Sequence, residues 1–187
     1  MVRSLRRSMR LASLVLALPA SSVIAQVVPT AAASDPKDVA SPQAIVAALY
    51  DVLSGTKTQQ RNWDRFRSLF IEGGRLIPTS VDAKGVKHLR ALTADEYAKV
   101  VDPQLKGEGF YEREISHASD SFGAIMHVFS TYESRHAVND PQPFSRGINS
   151  IELFNDGSRW WIISVLWDRE RPNNPIPTKY LPGAHKP

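Results

Sequence analysis

The stretch from Phe110 to Arg169 constrains the fold more than any other, because it reads as four consecutive β-strands. Strand-like runs cover about 110–119, 123–135, 145–154 and 159–169, with turn-forming Asp, Gly, Asn and Pro between them. Neighbours joined this way pair as an antiparallel meander, which has at least one face to bury. A sheet of this size cannot bury that face against itself, so the chain before Phe110 must supply a covering layer.

That earlier part reads as helices. Ser41-Pro42 offers an N-cap and a first-turn proline, and Ile45, Leu49, Val52 and Leu53 follow at helical spacing. Gly55 sits where a left-handed C-cap would fall. A second helix is expected over "NWDRFRSLFI", with Trp63, Phe66, Leu69 and Phe70 on its inner side and Gly73-Gly74 as its stop. "RLIPTSV" and "VKHLRAL" read as two short strands about a turn at Asp82 to Gly85. Thr93 and Glu96 have capping-box spacing and open a third helix carrying Tyr97, Val100 and Val101, which Pro103, Gly107 and Gly109 close. Helices first, a small hairpin between them, then a meander: the plan is α+β, a curved antiparallel sheet wrapped around N-terminal helices.

The two ends read differently from this body. Residues 1–25 have a cationic start (MVRSLRRSMR), an apolar run (LASLVLALPA) and a small-residue exit, the three parts of a signal peptide cleaved after Ala25. The apolar run is about ten residues, against roughly 20 needed to span a bilayer. The expected address is therefore export, periplasmic or secreted, with no membrane association beyond the signal. Arg6-Arg7 leaves the general and twin-arginine routes both open. Residues 26–40 read as a disordered linker, 41–171 as the folded domain, and 172–187 as a proline-rich tail lying extended along it. The pI of about 9.5 suggests a polyanion partner until the charges are located. Removing the four leader arginines leaves 19 basic against 19 acidic residues, so no nucleic-acid partner is expected. The absence of cysteine excludes disulfides, thiolate metal sites and a cysteine nucleophile.

The element order, together with "NWDRFRSLF" and "NDGSRWWIISVLWD", resembles the nuclear transport factor 2-like superfamily and, within it, the SnoaL-like group. The likeness runs from about Ser41 to Trp167. It implies a cone-shaped, cystatin-like sheet enclosing a pocket and, often, a homodimer through the outer face of the sheet. Members include isomerases, dehydratases, polyketide cyclases and non-catalytic binding modules, so the resemblance leaves activity open.

Register then places side chains. If Asp156-Gly157 is a two-residue turn, Leu153 opposes Trp160, Ile151 opposes Ile162, Asn149 opposes Ser164 and Gly147 opposes Leu166 on one, mostly apolar face. This face is expected inside the cone, which makes Asn149, Ser164, Ile151, Ile162 and Leu166 pocket-lining candidates, joined by Tyr132 and Trp63. The other face would carry Trp161 and Trp167, with Arg146 stacking on Trp167. A buried amide without partners costs about 1–3 kcal/mol, so Asn149 needs Ser164, another group or a ligand. Both a satisfied core pair and a ligand handle fit.

With Asp120-Ser121 as the turn of the preceding hairpin, Glu114 opposes His127. A carboxylate orienting an imidazole is the smallest useful acid/base pair, and a surface ion pair is the plainer reading. His88, His117 and His136 lack metal-ligand spacing, so neither metal nor cofactor is expected. The expected function is an exported protein binding a small, mostly apolar ligand in the cone. The alternatives are an acid/base enzyme of isomerase, dehydratase or cyclase type with His127 and Glu114, and a non-catalytic interaction module using the outer tryptophans.

Overall fold

The computed structural model describes residues 34–183. The expected signal peptide with its cleavage site, most of the linker and the last residues of the tail lie outside the described residues.

Helix α1 spans Pro42–Leu53 and starts as its sequence predicts, with Ser41 Oγ accepting from Ala44 N at 3.1 Å. Its apolar face, including Ile45, Leu49, Val52 and Leu53, is buried. It does not end on a left-handed glycine. Gly55, at φ +153°, instead forms a bridge with Phe110 through N–H···O bonds of 2.7 and 3.0 Å. The carbonyls beyond the helix are held by Arg61, only 4% exposed. Its Nε donates to Leu53 O at 2.6 Å, Nη2 to Gly55 O at 2.9 Å and Nη1 to Gln59 O at 2.7 Å. A cation is favourable at a helix C-terminus, where carbonyls lack partners.

Helix α2 covers only Trp63–Ser68, and Phe70 already opens strand β1, Phe70–Val81. Gly73-Gly74 is therefore a bulge inside β1 and not a helix stop. The register of β1 against strand β6 (Trp160–Arg169) shifts between Phe70 and Arg75. A Cβ at Gly74 would stand 3.0 Å from Ile71 O and 3.2 Å from Ile162 O, a close approach that favours glycine. A short β2, Lys87–Leu89, pairs back on β1. Helix α3, Ala94–Leu105, carries the full capping box: Thr93 Oγ1 accepts from Glu96 N at 3.2 Å and Glu96 Oε2 accepts from Thr93 N at 2.8 Å. Pro103 does not close this helix. It sits in the last turn, where a missing N–H forfeits one bond, and Lys106 N still reaches Asp102 O at 3.2 Å.

Strands β3 (Tyr111–Phe122), β4 (Ile125–Arg135) and β5 (Ser145–Asn155) complete the order β2-β1-β6-β5-β4-β3. All neighbours are antiparallel except β1 and β6, which are parallel. The sheet curves around α1, α2 and α3. Phe66, Ile45, Leu69, Ile151, Leu153 and Ile162 form the fully buried centre.

Both hairpins pair in registers other than those expected. The β3–β4 turn is Gly123-Ala124, with Gly123 at φ +56°, so Phe122 opposes Ile125 and Asp120 opposes His127. A bulge at Ile115 then places Glu114 opposite Tyr132. The β5–β6 turn takes four residues, Asp156 to Arg159, because the Asp156 carboxylate caps it. Oδ1 accepts from Ser158 N at 2.8 Å and Arg159 N at 2.9 Å, and Oδ2 from Trp161 Nε1 at 2.7 Å. These donors hold the Asp156 carboxyl well below the usual carboxylate range. Leu153 therefore opposes Ile162, and a second bulge, at Ile163, sets Glu152 opposite Ser164, Ile151 opposite Val165 and Asn149 opposite Trp167.

The tail runs over the outer face of the sheet. Ile176 is buried, the Tyr180 ring lies edge-on to Phe129 at 4.9 Å, and Thr131 Oγ1 donates to Tyr180 O at 2.8 Å. It contains one 3-10 turn, Thr178–Tyr180.

Candidate functional site

Between α1, α3 and the concave side of the sheet lies a cavity of about 450 Å3. Leu49 and Leu53 of α1, Tyr97 of α3, Leu76 of β1 and Val165 and Trp167 of β6 give it apolar walls. Tyr97 is fixed by stacking on Phe66, with ring centres 5.7 Å apart, and by meeting Trp167 edge-on at 5.9 Å. Polar groups come from the three strands on the opposite side: Glu112, Ser134, Tyr132 and Asn149. Tyr132 packs against Gly147, where a Cβ would stand 2.6 Å from the Tyr132 hydroxyl.

Asn149, 5% exposed, has partners other than the expected Ser164. Its Nδ2 donates to Tyr50 Oη at 2.9 Å. Ser130 Oγ gives its single proton to Glu114 Oε2, so the 2.7 Å contact between Tyr50 Oη and Ser130 Oγ must have tyrosine as donor. The result is a directed chain, Asn149 to Tyr50 to Ser130 to Glu114, whose carboxylate also meets His117 Nδ1 at 2.7 Å. Among the described residues no buried side-chain nitrogen or oxygen lacks a partner.

Glu112 is the chemically distinctive group. Its Oε2 accepts from Ser134 Oγ at 3.0 Å, and the Asn149 amide nearby also acts to lower its pKa. Both favour the charged form, yet burial outweighs them and pushes the carboxyl up to about 7. Near neutral pH this group can therefore either give or take a proton inside an apolar chamber. Burial also raises the hydroxyls of Tyr50, Tyr97 and Tyr132 above the ordinary tyrosine value, so they stay neutral.

The expected site residues divide by register. Asn149 and Tyr132 line the cavity. Ile151 and Ile162 point inward but are wholly buried in the core beneath it. Ser164 and Leu166 are on the outer face, with Leu166 40% exposed, because the Ile163 bulge reverses the remainder of β6. The same reversal brings Trp167 inside, so Arg146 pairs with Glu170 at 2.8 Å instead of stacking on that ring. Trp63 does not line the cavity; its Nε1 donates to Asp102 Oδ1 at 2.9 Å and ties α2 to α3. Glu114 and His127 do not meet. His127 lies on the outer face, its side chain 37% exposed, with Nε2 2.9 Å from Ser150 Oγ. The proposed His127–Glu114 acid/base pair is thereby removed. Among the described residues no three His, Asp or Glu side chains are grouped to hold a metal ion, and no helix is long and apolar enough to cross a membrane.

Glu112, Tyr50, Ser134, Tyr97 and Trp167 escape the reading of the sequence. Only Glu112 leaves a usable signal, standing two residues from Glu114 and so on the same face of β3.

No family model matches the sequence, and no curated protein does. Solved structures do. A protein with a cystatin-like fold from Nostoc punctiforme is 11% identical, covering 70% of this chain and 89% of its own, with TM-score 0.49. An NTF2-like protein from Silicibacter pomeroyi is 13% identical over 70% of this chain and 94% of its own, TM-score 0.48. Another from Shewanella baltica is 13% identical over 57% and 77%, TM-score 0.40. All three are described as of unknown function. These neighbours are described as NTF2-like or as having a cystatin-like fold, and none of the three descriptions names the SnoaL-like group.

Proposed function

We propose that the protein binds a small, mostly apolar molecule in the cone, presenting one polar group of that molecule to Glu112 and Asn149. The observation that carries this is the cavity of about 450 Å3 with the Glu112 carboxyl, raised to about 7, set in a largely apolar wall. Ligand sites of roughly 300–1,000 Å3 combine apolar walls with a few placed polar groups in the same way. Acid/base catalysis is the second reading, and one fact favours it: a carboxyl at about 7 is matched to proton transfer at neutral pH. In that version Glu112 takes the role first assigned to His127.

Native mass spectrometry of the purified protein tests the binding reading, with Val101→Trp as the comparison. Val101 lines the cavity from α3, and a bulkier ring there fills it. A small molecule retained by the unaltered chain and lost from the folded variant is the expected result. Equal retention by both would place the ligand elsewhere.

Export with removal of residues 1–25, and pairing of two chains through the outer face, belong to the same proposal. Export is supported by the three-part leader, and pairing by Ile163 and Leu166, exposed on that face. N-terminal sequencing of the mature protein checks the first, and its mass in solution by light scattering checks the second.

A further inference from the structure

The mouth of the cavity is rich in arginine. Arg135, Arg146, Arg169 and Arg171 border the groove that opens beside it. Three of them are committed: Arg135 to Glu133 at 3.0 Å, Arg146 to Glu170 at 2.8 Å and Arg171 to Asp168 at 2.7 Å. Glu133 is also held by Arg113 at 2.7 Å, and Glu108, on the far side of the mouth, lies 3.1 Å from His136 Nδ1. Each acid near the opening is thus already engaged. Arg169 alone among these arginines has no carboxylate within ion-pair distance among the described residues.

Arg169 is also the one that belongs to the cavity itself. It is the last residue of β6, opposite Gly147, and after the Ile163 bulge it continues the inward row of Val165 and Trp167. Its charge acts on Tyr132, drawing that hydroxyl down against the effect of burial. A guanidinium at the rim of an apolar chamber, with protein carboxylates occupied elsewhere, is a complementary site for one anionic oxygen pair.

We infer that the ligand of the cone is a monoanionic organic acid, its apolar body inside the cavity and its carboxylate held at the mouth by Arg169. This rests on the cavity being a ligand site. One uncommitted guanidinium matches a single charge, which favours a carboxylate over a phosphate dianion. The inner polar wall is suited to a neutral group at the other end of the molecule, because burial already makes the charged form of Glu112 unfavourable.

The test compares 2-naphthoate with its neutral isostere 2-naphthamide, titrated calorimetrically into the full chain and into Arg169→Gln. The expected result is about tenfold tighter binding of the acid than of the amide by the unaltered protein. Arg169→Gln should lose that preference while binding the amide as before, and added salt should weaken only the acid. Arg146→Gln, whose arginine is engaged by Glu170, should keep the preference. If acid and amide bind alike and Arg169→Gln changes neither, the anion assignment falls and the cavity reading stands. Binding of neither probe, with Arg169→Gln and Val101→Trp both folded, counts against both.

Discussion

Glu112→Gln separates the cost of a buried charge from everything else in the cavity. In the folded chain the carboxyl titrates at about 7, against an ordinary 4.5. Between those values the native state holds a proton that the unfolded state has released, so stability falls as pH rises from about 4.5 to about 7 and then levels off. A shift of this size corresponds to about 3 kcal/mol across the window, an upper figure because the cavity is open to water. Glutamine keeps the shape and cannot ionise, so its contribution has no such slope. Any fixed offset from its amide meeting Ser134 is the same at every pH and drops out of the comparison. The carboxyls that hydrogen bonds hold low, such as Asp156 and Asp168, change charge below the window and are common to both proteins. Thermal unfolding at half-unit steps from pH 4.5 to 8 should therefore show the variant gaining on the unaltered protein. At about 2–4 °C per kcal/mol, the gain approaches roughly 10 °C at the alkaline end. A difference that stays flat to within about 0.5 kcal/mol would mean that Glu112 behaves as a solvated carboxylate, and the acid/base reading of the cavity would go with it.

Asn149→Ala should cost about 1–3 kcal/mol in urea unfolding, since it strips a buried donor from Tyr50, whereas Ser164→Ala on the outer face should stay within about 0.5 kcal/mol; equal effects would contradict the β5–β6 register. Arg61→Met leaves the carbonyls of Leu53 and Gln59 without this donor and Gly55 O with Phe110 N alone, and a loss of about 2–3 kcal/mol is expected by the same assay. An unchanged midpoint there would show that water replaces the guanidinium. Trp63→Phe retains the ring but not the bond to Asp102, so about 1 kcal/mol should be lost with the cavity's ligand binding intact; loss of binding would place Trp63 in the site after all.

Features with a local cause were legible. The Ser41 cap and the Thr93–Glu96 box are hydrogen bonds across three residues, and both form as written in the sequence. Strand limits follow alternation and came within a few residues. Turn lengths did not. "ASDSFGAI" holds turn formers at both Asp120-Ser121 and Gly123-Ala124, and only the pairing of the whole hairpin selects the second. "NDGS" allows a two-residue turn, but the Asp156 carboxylate gathers enough donors to stabilise four. The bulge at Ile163 lies in "WWIISVLW", a run so uniformly apolar that no break in period marks it. The parallel β1–β6 pair joins segments some 90 positions apart, beyond any local pattern.

One inserted residue decides which chemistry the cone contains. Without the bulge at Ile163, Ser164 and Leu166 would face inward, and Val165, Trp167 and Arg169 would lie outside. The cavity would then lose its aromatic end wall and its only uncommitted arginine. The bulge at Ile115 acts likewise on β3: it turns His117 to the same side as Glu114, three residues away, so that their contact anchors the far end of the chain from Asn149. That chain spends an Asn149 N–H on Tyr50. With Tyr50 and Ser130 also committed, the polar wall is settled among its own members except where Glu112 meets the cavity. A ligand therefore meets a carboxyl whose charge is marginal at neutral pH, backed by groups that cannot rearrange without breaking bonds behind them. This is the preorganisation a selective site requires, and it arises from strand irregularities more than from any motif.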